Sequence, residues 1–291
     1  MKIFLSLFII CVLIGCSEKR VLIKKLREKR TEEVTIYYYK DELFNGVMFE
    51  DGNNFRELSL ECKIIDGKIE GLEKYWYKNG QLYSEINYKN GKKNGLETQW
   101  RFNGALWRES NYKNGKINGW KKLWFENGQL ESEINYKEGK RYGLEKQWFD
   151  NGQLWWEINY RNDTKNGLHK RWRKDGILEY EDNYKDGERC GLQRCWYKNG
   201  CLSEEYILSN GEKDGLSKKW YENGQLSYEF NYKNGLNDGL SKGWYENGQL
   251  ESESFYINNI PNGLSKGWDK EGRLSYERNW RWGKLIESKY Y

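Results

Sequence analysis

Residues 71–94 read GLEKYWYKNGQLYSEINYKNGKKN, and a second copy begins at Gly95. Gly71 and Trp76 each recur at steps of 24 residues, as far as Gly263 and Trp268. Gly80, Leu82 and Glu85 keep the same step to Gly272, Leu274 and Glu277. Five columns filled nine times over define a repeat array, and a fixed period of this kind decides the fold before any local pattern does. Within a copy, two short runs rich in Trp, Tyr and Ile are bounded by Asn-Gly pairs. Asn-Gly is the strongest short-range hairpin signal, because both residues tolerate positive φ. Leu72 to Tyr77 and Gln81 to Tyr88 therefore read as one hairpin, with residues 89–95 as the loop to the next copy. The one proline, Pro261, falls in such a loop and removes no ladder hydrogen bond there.

The predicted fold class is all-β: an elongated, solenoid-like meander of repeated antiparallel β-hairpins forming a single twisted sheet. A unit this small buries too little apolar area alone, so each copy must lean on its neighbours. Nine copies span residues 71–286. Residues 34–70 read as a degenerate first repeat, since Tyr39-Lys40 and Asn45-Gly46 echo Tyr88-Lys89 and Asn94-Gly95. Residues 285–291 read as a capping strand, with Glu287 and Lys289 opposing edge-to-edge growth.

Two hairpin registers compete. A bulged turn at Lys78-Asn79-Gly80 sets Trp76 opposite Leu82 and puts Leu72, Trp76, Leu82, Ile86 and Tyr88 on one apolar face. A two-residue turn at Asn79-Gly80 sets Trp76 opposite Tyr83 and Lys74 opposite Glu85. Hydrophobic alternation favours the first.

Aromatic residues make up 16% of the chain and charged residues 32%, a mixture that suits a thin structure rather than a thick closed core. The formal net charge is only +5, with both signs interspersed, so no strong global field is expected. The one basic cluster runs through Lys19, Arg20, Lys24, Lys25, Arg27, Lys29 and Arg30.

Compartment is read from the first residues. Lys2 supplies a positive flank, and Ile3 to Ile14 form an apolar run too short for a stable span but suited to a signal peptide. The run ends in Leu13-Ile14-Gly15-Cys16, which resembles the bacterial lipobox. That resemblance implies cleavage after residue 15, lipid attachment at Cys16, and a basic tether over 16–33. The expected location is a bacterial cell membrane or outer membrane, lipid-anchored and facing periplasm or exterior. An exported chain could oxidise Cys62, Cys190, Cys195 and Cys201, and disulfide or free thiol both stay open.

The Asn-Gly turn, the recurrent Tyr-Lys-Asn-Gly and the Gly-Leu-x-x-x-Trp start resemble the MORN-repeat family, in its bacterial variant. The resemblance covers about residues 71–286 and implies a row of β-hairpins. Some bacterial relatives carry the label of antitoxin component of a toxin–antitoxin system, and eukaryotic relatives are linked to membrane association and scaffolding.

No G-x-S-x-G, P-loop, H-E-x-x-H or dinucleotide fingerprint occurs in the sequence. Glu85 and its equivalents recur in every copy and so read as structural. His169, the only histidine, reads as a surface-facing variant of the Glu73 position. No enzyme activity, metal or cofactor is expected. Export and near-neutral charge weigh against nucleic acid. The leading expectation is a lipid-anchored scaffold for an envelope or extracellular protein; the alternatives are an adhesin-like binder of surface glycan or lipid and an antitoxin-type partner.

Positions equivalent to 73, 75, 77 and 83 lie on the predicted face opposite the apolar columns. Early copies fill them with Tyr75, Tyr77, Tyr83, Trp107, Leu123, Phe125, Phe149 and Trp155. Late copies hold Ser217, Ser227, Ser241, Gly243, Ser265, Gly267 and Ser275 instead, although Tyr221 and Tyr245 persist. The early aromatics are therefore the candidate partner-binding residues, unless they pack on the tether and the worn first repeat.

Overall fold

The computed structural model describes residues 18–50 and 58–291, which fall into two compact units divided after Gly104. Cys16 and the leader lie outside the described residues.

In the second unit, strands and tight turns alternate from Leu106–Lys113 to Lys284–Tyr290, each strand antiparallel to the next. In the first unit, Leu58–Ile65, Lys68–Tyr77, Leu82–Lys89 and Lys92–Trp100 form the same meander. The chain is all-β, built from repeated hairpins.

Residues 89–95 are not the expected loop. Lys89 pairs with Lys92 across a two-residue turn, in which Asn90 and Gly91 have φ of 51° and 76°. Positive φ at both central residues is the type I′ geometry, whose twist matches the flanking strands. Both Asn-Gly pairs of a copy therefore make hairpins. At the other, Tyr77 N–H donates to Gln81 O at 2.8 Å and Gly80 N–H donates to Tyr77 O at 2.9 Å.

The register takes one element from each expected form. Trp76 stands opposite Leu82, but Tyr75 stands opposite Ser84 and Lys74 opposite Glu85. Tyr83 is the extra residue of a β-bulge, and its insertion flips every later side chain to the other face. The expected apolar face is thereby split. Leu72, Trp76 and Leu82 share one face with Lys74 and Glu85, while Ile86 and Tyr88 lie on the other with Glu73, Tyr75 and Ser84. A second shift between Ile86 and Tyr88 returns the next strand to phase. Here Gly95 has φ of 112°, and a Cβ on it would stand 3.2 Å from Asn87 Cβ; positive φ is shared by the whole glycine column, the close approach only by some of its members.

The face of Lys74 carries an ion-pair ladder. Lys74–Glu85 closes at 2.9 Å, Lys170–Glu181 at 3.0 Å, Arg194–Glu205 at 2.7 Å and Lys266–Glu277 at 3.0 Å. These groups are partly exposed, so each pair contributes at most about 1 kcal/mol.

Successive copies are tied together at both margins. Asn127 Nδ2 donates to Asp150 O at 2.8 Å, one copy ahead, while its Oδ1 accepts Gln129 N–H at 3.0 Å. Tyr197, Tyr221 and Tyr245 hydroxyls donate to the carbonyls of Trp220, Trp244 and Trp268 at 2.7–2.9 Å. At the opposite margin, Gly187 N–H donates to Lys165 O and Gly235 N–H to Lys213 O. Pro261 lies in the two-residue strand Ile260–Pro261 rather than in a loop. At the equivalent positions, Arg141 and Asn237 donate their N–H to Asp163 and Asn259 side chains of the following turn. The turn after Pro261 carries Gly283 there, so the missing N–H leaves no acceptor stranded.

The first unit begins differently from expectation. The segment read as a solvated tether forms Arg20–Leu22, a single 3₁₀ turn and Arg27–Arg30, with Val21 buried. Arg20–Leu22 pairs parallel with Gly46–Glu50, and Gly46 allows Val47 N–H to reach Lys19 O, since a Cβ there would collide with that carbonyl. Arg27–Arg30, Thr35–Tyr39 and Glu42–Leu43 make a second, three-stranded sheet, so a single sheet does not describe this unit. Val21, Tyr37, Phe44, Met48, Leu60, Cys62, Ile64 and Ile69 form a closed apolar cluster. At the other end, Lys284–Tyr290 is exposed throughout and pairs with Leu274–Arg281.

Candidate functional site

None of Tyr75, Tyr77, Tyr83, Trp107, Phe125, Phe149 and Trp155 is fully exposed; all are half-buried. Their face is the more enclosed of the two, because Glu73, Ser84 and Ile86 on it are all under 10% exposed. The open aromatic face expected from the sequence is therefore corrected to a recessed one.

The individual residues divide by role. Tyr75 and Tyr88 pack on the apolar cluster of the first unit, beside the buried Glu73, whose charged form their hydroxyls favour. Burial nonetheless raises the Glu73 carboxyl above its ordinary range. With Tyr37, Thr31 and Glu33 these groups line a cavity of about 310 Å³. Tyr77 belongs to the repeat framework, since its hydroxyl donates to Trp100 O at 3.0 Å and its ring meets Tyr83 and Phe102 edge-on. In the second unit, Trp107 carries Arg108 at 5.9 Å from its ring, and Phe125 N–H donates to Gln129 O in its turn. Phe149 packs on Trp155 at 5.6 Å between centroids.

The loss of aromatics in late copies also has a structural cause. A Cβ on Gly267 would stand 2.1 Å from the Tyr276 ring, and one on Gly243 would stand 3.2 Å from Tyr228. In the first copy Tyr75 stands opposite Ser84, and in the last Gly267 stands opposite Tyr276, with the sizes reversed. At Gly267 the drift exchanges bulk across the hairpin.

One copy departs from this pattern chemically. Strands Leu154–Arg161, Thr164–Trp172 and Leu178–Lys185 set Trp156, Arg171 and Tyr180 in one row and Ile158, His169 and Asp182 in the next. Tyr160 and Lys165 follow. A recess of about 260 Å³ opens among them, lined also by Trp155. His169 is 9% exposed, which corrects its expected surface position. Its ring meets Tyr180 and Trp156 edge-on at 5.2 and 6.3 Å, and its Nδ1 is buried without a hydrogen-bond partner. Burial, aided by Lys165 and opposed by Asp182, holds the imidazole down at about 4, neutral at pH 7.

The neighbouring copies explain why this one differs. Lys93 pairs with Glu97 at 2.8 Å and Arg141 with Glu145 at 3.6 Å, four residues on. Arg189 pairs with Asp182 at 2.6 Å and Lys213 with Glu204 at 2.8 Å. Lys165 faces His169 where Lys93 and Arg141 face glutamate, and among the described residues it has no carboxylate within ion-pair distance. Its ammonium sits 5.0 Å over the Tyr184 ring. Sequence reasoning did not bring Trp156 to His169, because the favoured register put position 84 on the face opposite position 73. The available signal was the single histidine four residues after Lys165, where Lys93 and Arg141 are followed by glutamate.

Cys62, Cys190, Cys195 and Cys201 are free thiols, and burial pushes the Cys62 thiol well above its ordinary value. Among the described residues, no group of His, Cys, Asp and Glu is placed to hold a metal ion, and no helix is long and apolar enough to cross a membrane.

No curated protein matches the sequence. The MORN repeat variant family matches it at residues 69–90, 93–114, 121–138, 141–162, 165–186, 213–234 and 237–258, together more than half of the chain. These matches fall on the hairpins described above, so the chain belongs to the MORN repeat variant family.

Proposed function

We propose that this chain is a lipid-anchored, exported, non-enzymatic repeat scaffold that holds a protein partner at a bacterial envelope. The carrying observation is the division of labour between recurrent and variable positions. The Asn127, Tyr197 and Lys74–Glu85 columns serve the array itself, through bonds to the next copy or across the hairpin. What varies includes the bulge position of Tyr83, which Trp107 and Trp155 fill, and the position of Tyr77, where Phe125 and Phe149 lack the hydroxyl that ties Tyr197 to the next copy. A surface so divided suits recognition, in which a few aromatic and cationic anchors dominate the binding energy.

In the second unit, Trp107, Phe125, Phe149 and Trp155 are the proposed partner anchors. Tyr77 serves the framework and Tyr75 packs on the cluster, so neither is retained as an anchor. Membrane attachment rests on Cys16 and the apolar run before it. A single acyl group anchors only marginally, so the proposal requires the multiple chains of a lipoprotein modification.

Two experiments address this reading. Labelling cells with a fatty-acid analogue should mark the wild type and not Cys16→Ala; full label on the variant refutes the anchor. Capture of envelope proteins should fall in Trp107→Ala/Trp155→Ala and persist in Ser217→Ala/Ser241→Ala. Unchanged capture by the tryptophan pair refutes the anchor surface.

A further inference from the structure

We propose that the recess around His169 binds a single acidic sugar unit of the uronic-acid type, with Lys165 as the counter-ion of its carboxylate. The inference does not depend on the lipid anchor or on the protein partner proposed above.

Three features select the ligand. The first is charge. Lys165 makes no ion pair in the copy where the equivalent pair would otherwise close, and Glu145, on which it acts at longer range, is paired with Arg141 at 3.6 Å. Arg171 is already paired with Glu179 at 3.1 Å, so the recess presents one uncommitted cation. A ligand with one negative charge matches it, whereas a dianion would leave charge over in a partly desolvated site.

The second feature is the aromatic lining. Trp155, Trp156, Tyr160 and Tyr180 bring four rings to one recess. Flat ring faces suit a ligand that has apolar C–H faces and polar edges, as a pyranose has, and cover it without demanding hydrogen bonds. The third is size and polarity. The volume of about 260 Å³ is below the usual range for drug-sized ligands and admits one ring-sized unit. Neutral His169 adds hydrogen-bonding capacity at the recess without adding a second charge. A neutral sugar would leave Lys165 unmatched, and an aliphatic carboxylate would leave the rings uncovered.

The test is ligand-observed saturation-transfer NMR on the full chain with glucuronate, glucose and benzoate. Glucuronate should bind saturably, at least about tenfold more tightly than glucose and more tightly than benzoate. His169→Glu recreates the pair that Lys93 and Arg141 make with Glu97 and Glu145, and should weaken glucuronate binding about tenfold or more. Since Asp182 stands opposite residue 169, Lys165→Met provides a second variant that adds no carboxylate and should show the same loss. Absence of saturable glucuronate binding, equal binding of glucose, tighter binding of benzoate, or full binding by Lys165→Met each overturns the proposal.

Discussion

Tyr221 and Phe149 occupy the same position in different copies, and they differ by one hydroxyl. The Tyr221 hydroxyl donates to Trp244 O at 2.7 Å; Phe149 makes no such bond. Tyr221→Phe should therefore lower unfolding free energy by about 1 kcal/mol, and Phe149→Tyr should raise it by a similar amount if the new hydroxyl reaches Trp172 O. Urea titration of both variants checks the pair, and a neutral outcome for both would show that the bond contributes nothing net. His169 supplies a second test, in the pH dependence. Its folded value of about 4 lies below the unfolded one, so the unfolded chain binds more protons between pH 4 and 6.5. Its contribution is present above pH 6.5 and lost as pH falls toward 4, to a total on the order of 2–3 kcal/mol. Buried Glu73 and Glu145 shift upward, with the opposite sign, and Lys165, Asp182, Arg171 and Arg189 all act on the imidazole. The difference between wild type and His169→Gln therefore isolates the effect; Gln193 shows that glutamine fits this column buried. A pH-independent difference between the two would contradict the assignment.

The hairpin is the element whose turns were legible as turns but not as turn types. Asn90-Gly91 has the composition of a type I′ turn, yet the same dipeptide at Asn79-Gly80 sits in a different geometry, where Gly80 alone has positive φ. Composition does not separate the two, because the flanking bulge decides which applies. Tyr83 shows the same limit: alternation placed Trp76 opposite Leu82 correctly, but no residue type announces the extra residue that follows. Where a column breaks turn chemistry, stability should respond. Glu138 and Trp282 take the first turn position at φ of 53° and 47°, which asparagine fills at residues 90, 114 and 162. Left-handed conformations cost ordinary residues about 1–2 kcal/mol and asparagine less. Glu138→Asn should thus raise the melting temperature, Asn210→Glu should lower it, and the reverse order would show that side-chain contacts at the turn outweigh the backbone term.

At the scale of the whole chain, the nine-copy array, the all-β class and the need for neighbouring copies to support one another were readable from the period alone. The cap of the first unit was not. Its strand Arg27–Arg30 carries no repeat signature, the echo at Tyr39-Lys40 does not announce a second sheet, and its parallel pair forms because Gly46 lets the Lys19 carbonyl approach. The His169 recess was hidden by the face assignment, since a one-residue shift exchanges the inside and outside of every later position. That shift is therefore the point on which the rest turns. It is tested most directly by paired-cysteine cross-linking in the copy at 215–232, with Cys62, Cys190, Cys195 and Cys201 replaced by serine. Lys218 stands opposite Glu229, and Ser217 opposite Phe230. Directly opposed residues meet the spacing a disulfide needs, and residues on opposite faces do not. The bulged register predicts rapid intramolecular disulfide formation in Lys218→Cys/Glu229→Cys and little in Ser217→Cys/Glu229→Cys; the reverse result would contradict it.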